Sequence, residues 1–461
     1  MAQAAEKWTP PGEAPRPAPK KEKDKAWEGL VIPRERIQAV CREVVAEYGS
    51  SARFRMYLET CVRCGLCSDA CHYYLGNDRD PHFAPAMKLK KTLYEIVKRG
   101  GDVDLDFMKQ AAEIVHTECN CCRRCSMYCP FGIDLQWMIA VVRRMIAKLG
   151  LTPEHLHETV KCHEKTANQM CVSEEDYIDT LLWMEEESRA EVTNVTIPID
   201  KVGAEYMYTL DAREPKFYPQ DVGQAAILFS IAGLDWTLPR TKGWDPTNLA
   251  MFSGHLEIAR DTVKAMYDAA LRLKVKKIVV TECGHAFKAV RFEGPYWLNL
   301  PGGQPPVEVI HTVQLLYELV RDGKIKITKK FTEPCTYQDP CNVARNGGLI
   351  EEPRWLISQM CTDFREMQPN REHNFCCSAG GGAINCGPAW KSKRMAGGKV
   401  KADQIRATGA KYVIVPCHNC YDQLNDLSQR YNLGTKAVFF KELLVDHGLA
   451  YIPEELRPKK E

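Results

Sequence analysis

Several features that define common protein classes are missing from this sequence of 461 residues. It has no uncharged apolar run of about 18 residues, the minimum for a membrane-spanning helix. Its 62 Lys and Arg nearly balance its 60 Asp and Glu, so no net charge directs it to nucleic acid or to an acidic membrane. No apolar signal segment follows Met1, and we expect a cytoplasmic protein. Neither a G-x-G-x-x-G nor a flavin signature occurs, so nucleotide binding is not expected.

Cysteine, by contrast, is abundant, with 21 residues in the chain. An odd number of cysteines in a large protein without an export signal disfavours a disulfide framework. Many of them are separated by only two or three residues, a spacing that favours metal ligation. Isolated ones such as Cys162 and Cys171 are interpreted as buried small apolar residues.

The length predicts two or three domains. Residues 1–28 are rich in Pro, Lys, Ala and Glu and predict a disordered or extended arm. Residues 29–150 have helical apolar spacing around eight cysteines, and residues 151–221 predict a helical connector. The pattern changes at residue 222.

Short apolar runs alternate with helical patterns in the remainder of the chain, at 226–231, Lys277–Val280, 336–338 and 412–415. This alternation predicts α/β layering with a mainly parallel sheet. An internal repeat divides the region, because KIVVTEC at 277–283 matches KYVIVPC at 411–417. Two half-domains, 222–330 and 331–461, are therefore expected. In each, a cysteine follows a strand, at the edge where open α/β folds bind ligands.

Eight of the ten cysteines in residues 29–150 form two runs of the pattern C-x2-C-x2-C-x3-C. In this motif three close thiolates hold one cluster, and the fourth reaches the other cluster. The runs predict two cubane [4Fe-4S] clusters in a helical ferredoxin domain; two zinc sites are the alternative, although zinc sites rarely use runs of four cysteines. His72 follows the first run where a proline is typical, and Cys121 is interpreted as a buried bystander. The predicted ligands are Cys61, Cys64, Cys67 and Cys129 for the first cluster, and Cys71, Cys119, Cys122 and Cys125 for the second.

Five of the eight cysteines in the last half-domain are arranged as a single cysteine, an adjacent pair and a C-x-x-C motif. Five thiolates suit a cluster larger and more open than a tetrahedral ion. The set resembles the CCG domain of heterodisulfide reductase catalytic subunits, a family that also includes iron–sulfur subunits of glycolate oxidase and anaerobic glycerol-3-phosphate dehydrogenase. The resemblance implies a noncubane [4Fe-4S] cluster that cleaves a disulfide. Its catalytic ligands would be Cys341, Cys376, Cys377, Cys417 and Cys420.

The sequence departs from the CCG pattern at two residues, and the first half-domain lacks most of the cysteines of the pattern. Ser378 replaces the glycine after the cysteine pair, and Asn342 stands where a histidine often follows the first cysteine. The half-domain 222–330 has only one cysteine of the pattern, Cys283, and is expected to be degenerate. Cys283 or His285 would then either lie at the rim of the CCG site of the other half-domain or be packed as a remnant. The expected fold is thus α+β multidomain: a helical two-cluster ferredoxin domain, then two α/β CCG half-domains, the first degenerate.

This layout is similar to that of the DsrK family, iron–sulfur subunits of the DsrMKJOP membrane complex of sulfate reducers. The resemblance implies peripheral attachment to the inner face of the cytoplasmic membrane. It also implies a DsrM-like haem b partner that oxidises quinol, other complex subunits, and a small DsrC-like thiol protein whose disulfide or trisulfide is reduced. The alternative is a non-catalytic subunit that carries electrons from a flavoprotein dehydrogenase to quinone.

Overall fold

The computed structural model describes Trp27 and residues 29–459. The arm predicted for residues 1–28 therefore lies outside the described residues, apart from Trp27. No helix within the described part is both long and apolar enough to cross a membrane.

The first part of the described chain is helical, and its longest helices bury one apolar stripe each. In the helix Leu135–Lys148, for example, Met138, Val142 and Ile146 are fully buried. The cysteine runs lie in the loops and short helices between these longer ones. The helices are Arg34–Gly49, Ala52–Thr60, Leu66–Asp69, His72–Gly76, Pro85–Leu89 with its continuation through Lys90–Tyr94 and Glu95–Lys98, Leu105–Thr117, Arg124–Met127, Leu135–Lys148, Glu154–Thr166 and Glu174–Ser188.

A four-stranded parallel sheet follows, with strand order β2-β1-β3-β4. Its strands are β1 (Tyr206–Tyr208), β2 (Trp236–Thr237), β3 (Lys277–Val280) and β4 (Glu308–His311). The helices around it are Arg213–Phe217, Pro219–Ile231, Leu249–Ser253, Leu256–Arg272, Gly284–Lys288, Gly294–Trp297 and Thr312–Arg321.

The second sheet has three parallel strands in the order β5-β6-β7. These are β5 (Cys335–Tyr337), β6 (Tyr412–Ile414) and β7 (Lys436–Val438). Its helices are Glu351–Met360, Lys391–Gly397, Lys399–Thr408, His418–Tyr431 and Phe440–Leu444. Helices followed by two small parallel sheets confirm the predicted fold class.

The predicted strand at 226–231 is wrong, because these residues lie in the helix Pro219–Ile231. Nearly every residue of that helix is buried, and a helix buried on all faces has the same continuous apolar pattern as a buried strand. The strand β1 (Tyr206–Tyr208) also precedes residue 222, where the α/β pattern was expected to begin.

The sequence repeat corresponds to a structural repeat. Cys283 follows β3 and precedes the helix Gly284–Lys288, and Cys417 follows β6 and precedes the helix His418–Tyr431. Both cysteines have extended backbone conformations, with φ of −133° and −165°. The two halves thus present a cysteine at the same strand end.

Candidate iron–sulfur centres

The first cavity of the ferredoxin region is lined by Cys61, Cys64, Cys67 and Cys129. Three of these thiols come from the first cysteine run and one from the second, which is the grouping predicted. The chain turns tightly there because Gly65 adopts a φ of +86°. The site is close to the surface: Cys64 is exposed, and the wall residues Val62, 62% exposed, and Phe131, 43% exposed, face solvent.

A second cavity, deeper in the same region, is lined by Cys71, Cys119, Cys122 and Cys125. Again three thiols come from one run and one from the other. Leu135 lines both cavities, so the two groups of cysteines lie next to each other and share a wall residue. Cys121 also lines the second cavity, and its backbone N–H lies 3.5 Å from Cys119 Sγ, as in N–H···S hydrogen bonds to a ligand.

A buried lysine lies beside the second cavity. Lys88 is 2% exposed, and its Nζ is 4.0 Å from Cys71 Sγ while it donates a hydrogen bond to the Glu118 carbonyl. Burial alone would lower the pKa of Lys88, but the facing Cys71 and Cys119 sulfurs and the Glu118 carboxylate raise it above its usual value. The ammonium group therefore supplies a fixed positive charge next to these thiols.

The third cavity lies at the strand ends of the second sheet, and all five predicted CCG cysteines line it. Cys377 Sγ and Cys420 Sγ are only 3.2 Å apart, so the thiols converge on one small volume. Cys341 is partly exposed, whereas the other four are buried. The lining cysteines are Cys341, Cys376, Cys377, Cys417 and Cys420.

The first half-domain contributes a histidine to this third cavity. His285 lines it, and its Nε2 accepts a hydrogen bond from the Gly381 N–H at 3.2 Å. Burial lowers the pKa of His285 to about 4, so the imidazole is neutral at pH 7. Cys283 is buried and contacts Thr247 at 3.9 Å rather than lining the cavity.

A second buried lysine, Lys401, lies behind the CCG cysteines. Its side chain is 0% exposed, and Nζ donates to Asn374 Oδ1 at 2.6 Å. Burial lowers the pKa of Lys401 to about 7, although Asp339 and the thiols of Cys377 and Cys420 act to raise it.

A buried network of charged groups surrounds the residue after Cys417. His418 Nε2 lies 2.9 Å from Asp221 Oδ2, and Lys441 Nζ lies 2.9 Å from Glu282 Oε2 and 3.3 Å from Glu214 Oε1. Burial alone would lower the pKa of His418, but the hydrogen bond to Asp221 and the charge of Glu214 raise it to about 10. These opposite charges are paired, and they join the two half-domains.

Among the cysteines outside these sites, Cys162 and Cys171 form a disulfide. Their interpretation as isolated buried residues is therefore wrong. Cys171 has a positive φ of 52°, and the chain turns there to bring it back to the end of the helix Glu154–Thr166.

The donor chemistry of the three cavities fits iron–sulfur clusters. The first two offer four ligand thiols each, interleaved between two motifs as in dicluster ferredoxins. The third offers five thiols, more than one tetrahedral ion takes. The spacing of the cysteines predicted the eight thiols of the first two cavities, and the CCG resemblance implied the five thiols of the third. No motif indicates Lys88 or Lys401, which lie beside the second and third groups of thiols.

Comparison with protein families gives two matches. The 4Fe-4S dicluster domain matches residues 57–133, and the cysteine-rich CCG domain matches residues 335–425. The first match supports [4Fe-4S] clusters in the ferredoxin region. The half-domain 222–330 lies outside both matches.

The alignments with three curated relatives each cover most of the chain. A Hdr-like menaquinol oxidoreductase iron–sulfur subunit from Archaeoglobus profundus is 26% identical, over 72% of this chain and 68% of the relative. A subunit of the dihydromethanophenazine:CoB–CoM heterodisulfide reductase from Methanosarcina barkeri is 26% identical, over 80% of this chain and 89% of its own length. An EtfAB:quinone oxidoreductase from Syntrophomonas wolfei is 24% identical, over 80% of this chain and 55% of its own length.

Proposed function

We propose that this chain, an iron–sulfur protein of the heterodisulfide reductase type, carries electrons from a quinol-oxidising haem b partner to a disulfide or trisulfide. The electrons would pass through two cubane [4Fe-4S] clusters to a noncubane [4Fe-4S] cluster in the CCG site. The substrate would be a small DsrC-like thiol protein, as in dissimilatory sulfur metabolism. The observation that carries the proposal is the succession of three thiol-lined cavities, of which the last holds five cysteines.

The order of the cavities supports a relay. The first and second share Leu135 as a wall residue. The second and third meet where Cys122 and Cys376 come within 4.8 Å of each other. Neighbouring cavities therefore share a wall residue or bring two cysteines close together, an arrangement that suits transfer of single electrons.

Reducing an S–S bond takes two electrons and two protons. When bound, the CCG cluster would supply one-electron steps and an iron that accepts a substrate sulfur. Cys341 is the partly exposed member of the five thiols, so a substrate sulfur would approach from its side. There the cavity is bordered by Asn342 and by His285, whose Nε2 accepts the Gly381 N–H and whose neutral ring adds no charge to the site.

The partners proposed are other subunits of a membrane-associated complex. The names of the relatives support this, since one is a menaquinol oxidoreductase subunit and another a heterodisulfide reductase subunit. Attachment to the inner face of the cytoplasmic membrane would then depend on a partner, which fits the lack of a spanning helix among the described residues.

The deciding experiment is electron paramagnetic resonance on anaerobically purified protein, with and without an oxidised or reduced thiol ligand. We expect ferredoxin-like signals from the reduced protein. We also expect a separate signal on thiol addition, which Cys377→Ser abolishes while the ferredoxin signals persist. Cys361→Ser is the matched control, because Cys361 is a buried cysteine in the same half-domain that does not line the third cavity. Stoichiometric zinc, or signals indifferent to thiols, would refute the reductase.

A second candidate is a non-catalytic subunit that links a flavoprotein dehydrogenase to quinone. The similarity to an EtfAB:quinone oxidoreductase favours it. This candidate predicts that a reduced electron-transferring flavoprotein reduces all the clusters, and that disulfides neither bind nor are turned over. Anaerobic stopped-flow with reduced flavoprotein and, separately, with an oxidised dithiol protein distinguishes the two.

A further inference from the structure

An imidazole lies where the second and third cavities meet. The ligand atoms of His72, Cys122 and Cys376 all lie within 4.8 Å of one another. Cys122 is a predicted ligand of the second cubane cluster, and Cys376 is a predicted ligand of the CCG cluster. His72 belongs to neither set, although it directly follows Cys71 in the chain.

The orientation of this imidazole is fixed from the opposite side of the junction. His72 is 3% exposed, and its Nδ1 donates a hydrogen bond to the Gly397 carbonyl at 2.9 Å, a residue 325 positions away in the chain. The ring also packs against Tyr73, with ring centroids 4.7 Å apart. A ring held by a backbone carbonyl keeps one orientation, as histidines beside metal sites commonly do.

Glycines allow the two segments to approach closely enough for this bond. A Cβ on Gly76 would lie 2.4 Å from the Ala396 carbonyl oxygen, and one on Gly397 would lie 2.6 Å from the Tyr73 ring. The helices His72–Gly76 and Lys391–Gly397 thus touch at a distance that a larger residue would not permit.

Polar side chains hold the backbone on both sides of the junction. Asn120 donates to the Ser378 and Gly380 carbonyls at 3.1 and 2.7 Å. Arg345 donates in the reverse direction, from the CCG half-domain to the Cys122 carbonyl at 2.8 Å. Several hydrogen bonds therefore hold the two domains together at this junction, and His72 lies within it.

We propose that His72 is a positioning residue for electron transfer from the second cubane centre to the CCG centre, an inference that rests on the function proposed above. By bonding to Gly397, it keeps the sulfurs of Cys122 and Cys376 together, and the electron crosses between them. Each crossing oxidises the second centre and reduces the CCG centre by one electron, and no covalent bond changes. Two crossings and two protons from water then convert one S–S bond to two thiols.

Because a proline is typical after the last cysteine of such a run, His72→Pro is a variant that should fold. His72 is the first residue of its helix, a position that proline favours because its backbone N–H is not needed. His72→Pro removes the imidazole, whereas His72→Asn keeps a donor at the position of Nδ1. His157→Gln is the matched control, since this half-buried histidine stacks on His255 and lines none of the three cavities.

The experiment reduces the cluster-loaded full chain with sodium dithionite and follows each centre by freeze-quench electron paramagnetic resonance. We expect His72→Pro to keep every cluster signal but to slow the appearance of the reduced CCG centre by at least about tenfold, the usual effect of losing a residue that orients a metal ligand. His72→Asn should recover most of the rate, and His157→Gln should match the wild type.

An unchanged rate in His72→Pro, or equal slowing in His157→Gln, would overturn the inference. Because dithionite replaces the physiological donor and no substrate is present, the measurement is independent of disulfide turnover. A wild-type protein that passes electrons quickly to the CCG centre but reduces no disulfide would refute the proposed reductase and leave the role of His72 intact.

Discussion

Replacing Lys88 by methionine should lower the reduction potential of the cluster proposed for the second cavity. Methionine retains most of the apolar stem of this buried side chain while removing its charge. An electron added to the cluster would be stabilised by the ammonium group, which lies 4.0 Å from Cys71 Sγ. The variant therefore destabilises the reduced state more than the oxidised state, and the potential falls.

The structure allows an estimate of the size of this effect. Two unit charges 4 Å apart interact by about 4 kcal/mol at an effective dielectric constant of about 20. The added electron is spread over a cluster whose centre lies farther away than Cys71 Sγ, so about half of this, about 2 kcal/mol, is expected. Since about 1.4 kcal/mol corresponds to about 59 mV for one electron, the potential should fall by about 80 mV.

The assay is an anaerobic redox titration monitored by electron paramagnetic resonance, which resolves the two cubane centres. The first centre should shift less than the second, because Lys88 borders only the second of the two ferredoxin cavities. Lys90→Met is the control, since Lys90 is exposed two positions along the same helical segment. A shift in Lys88→Met no larger than that in Lys90→Met would refute the electrostatic reasoning.

Three further predictions concern ligation, pH and packing. Cys341→Ser should remove the CCG iron, about a third of the total for three four-iron clusters, and leave the ferredoxin signals intact by iron analysis and paramagnetic resonance. The pKa of His418 is raised to about 10, so its protonated form contributes stability that is fully present below pH 6.5 and is lost as the pH rises towards 10. Anaerobic thermal unfolding should show this loss, on the order of a few kcal/mol, and His418→Gln should reduce the dependence of stability on pH over this range. Arg143→Met should cost at least about 3 kcal/mol in denaturant unfolding, because buried Arg143 donates to four carbonyls in three segments and each buried acceptor left without a donor costs about 1–3 kcal/mol. A denaturation midpoint equal to that of the wild type would contradict this prediction.

Local spacing was enough to group the eight thiols of the two ferredoxin cavities, because ligand geometry constrains neighbouring residues directly. Cysteines two and three residues apart can face one cavity, and the exchange of Cys71 and Cys129 between the two sites follows from the motif. Similarity to heterodisulfide reductase iron–sulfur proteins, inferred from the same residues, is confirmed by the matched relatives, whereas none of the three relatives described carries the DsrK name.

Short buried elements were harder to predict, because burial removes the periodicity that distinguishes helix from strand. The apolar run at 226–231 has no polar face in the folded chain, so its pattern did not reveal the helix Pro219–Ile231. Strands β3 and β6 were identified because each is followed by a repeated cysteine, a signal that does not depend on periodicity.

Contacts between distant segments could not be inferred from one sequence. The bond from His72 to Gly397 joins residues that no pattern links, and its existence depends on how two domains pack. The position of Lys401 could not be inferred either. Its sequence pattern is that of an ordinary helical lysine, but its side chain is fully buried behind the CCG cysteines. Both residues lie beside the predicted sites without being among their predicted ligands.

The three cavities differ in their access to solvent, and this difference suits a reductase that must control single electrons. The first is open at Cys64, so a large redox partner can approach it closely. The second is bordered by the buried side chain of Lys88, and in the third Cys341 is the partly exposed thiol. In the proposed reductase, a donor bound at the first site would not touch a substrate bound at the third, and electrons would reach the disulfide one at a time through the cysteines between the two sites.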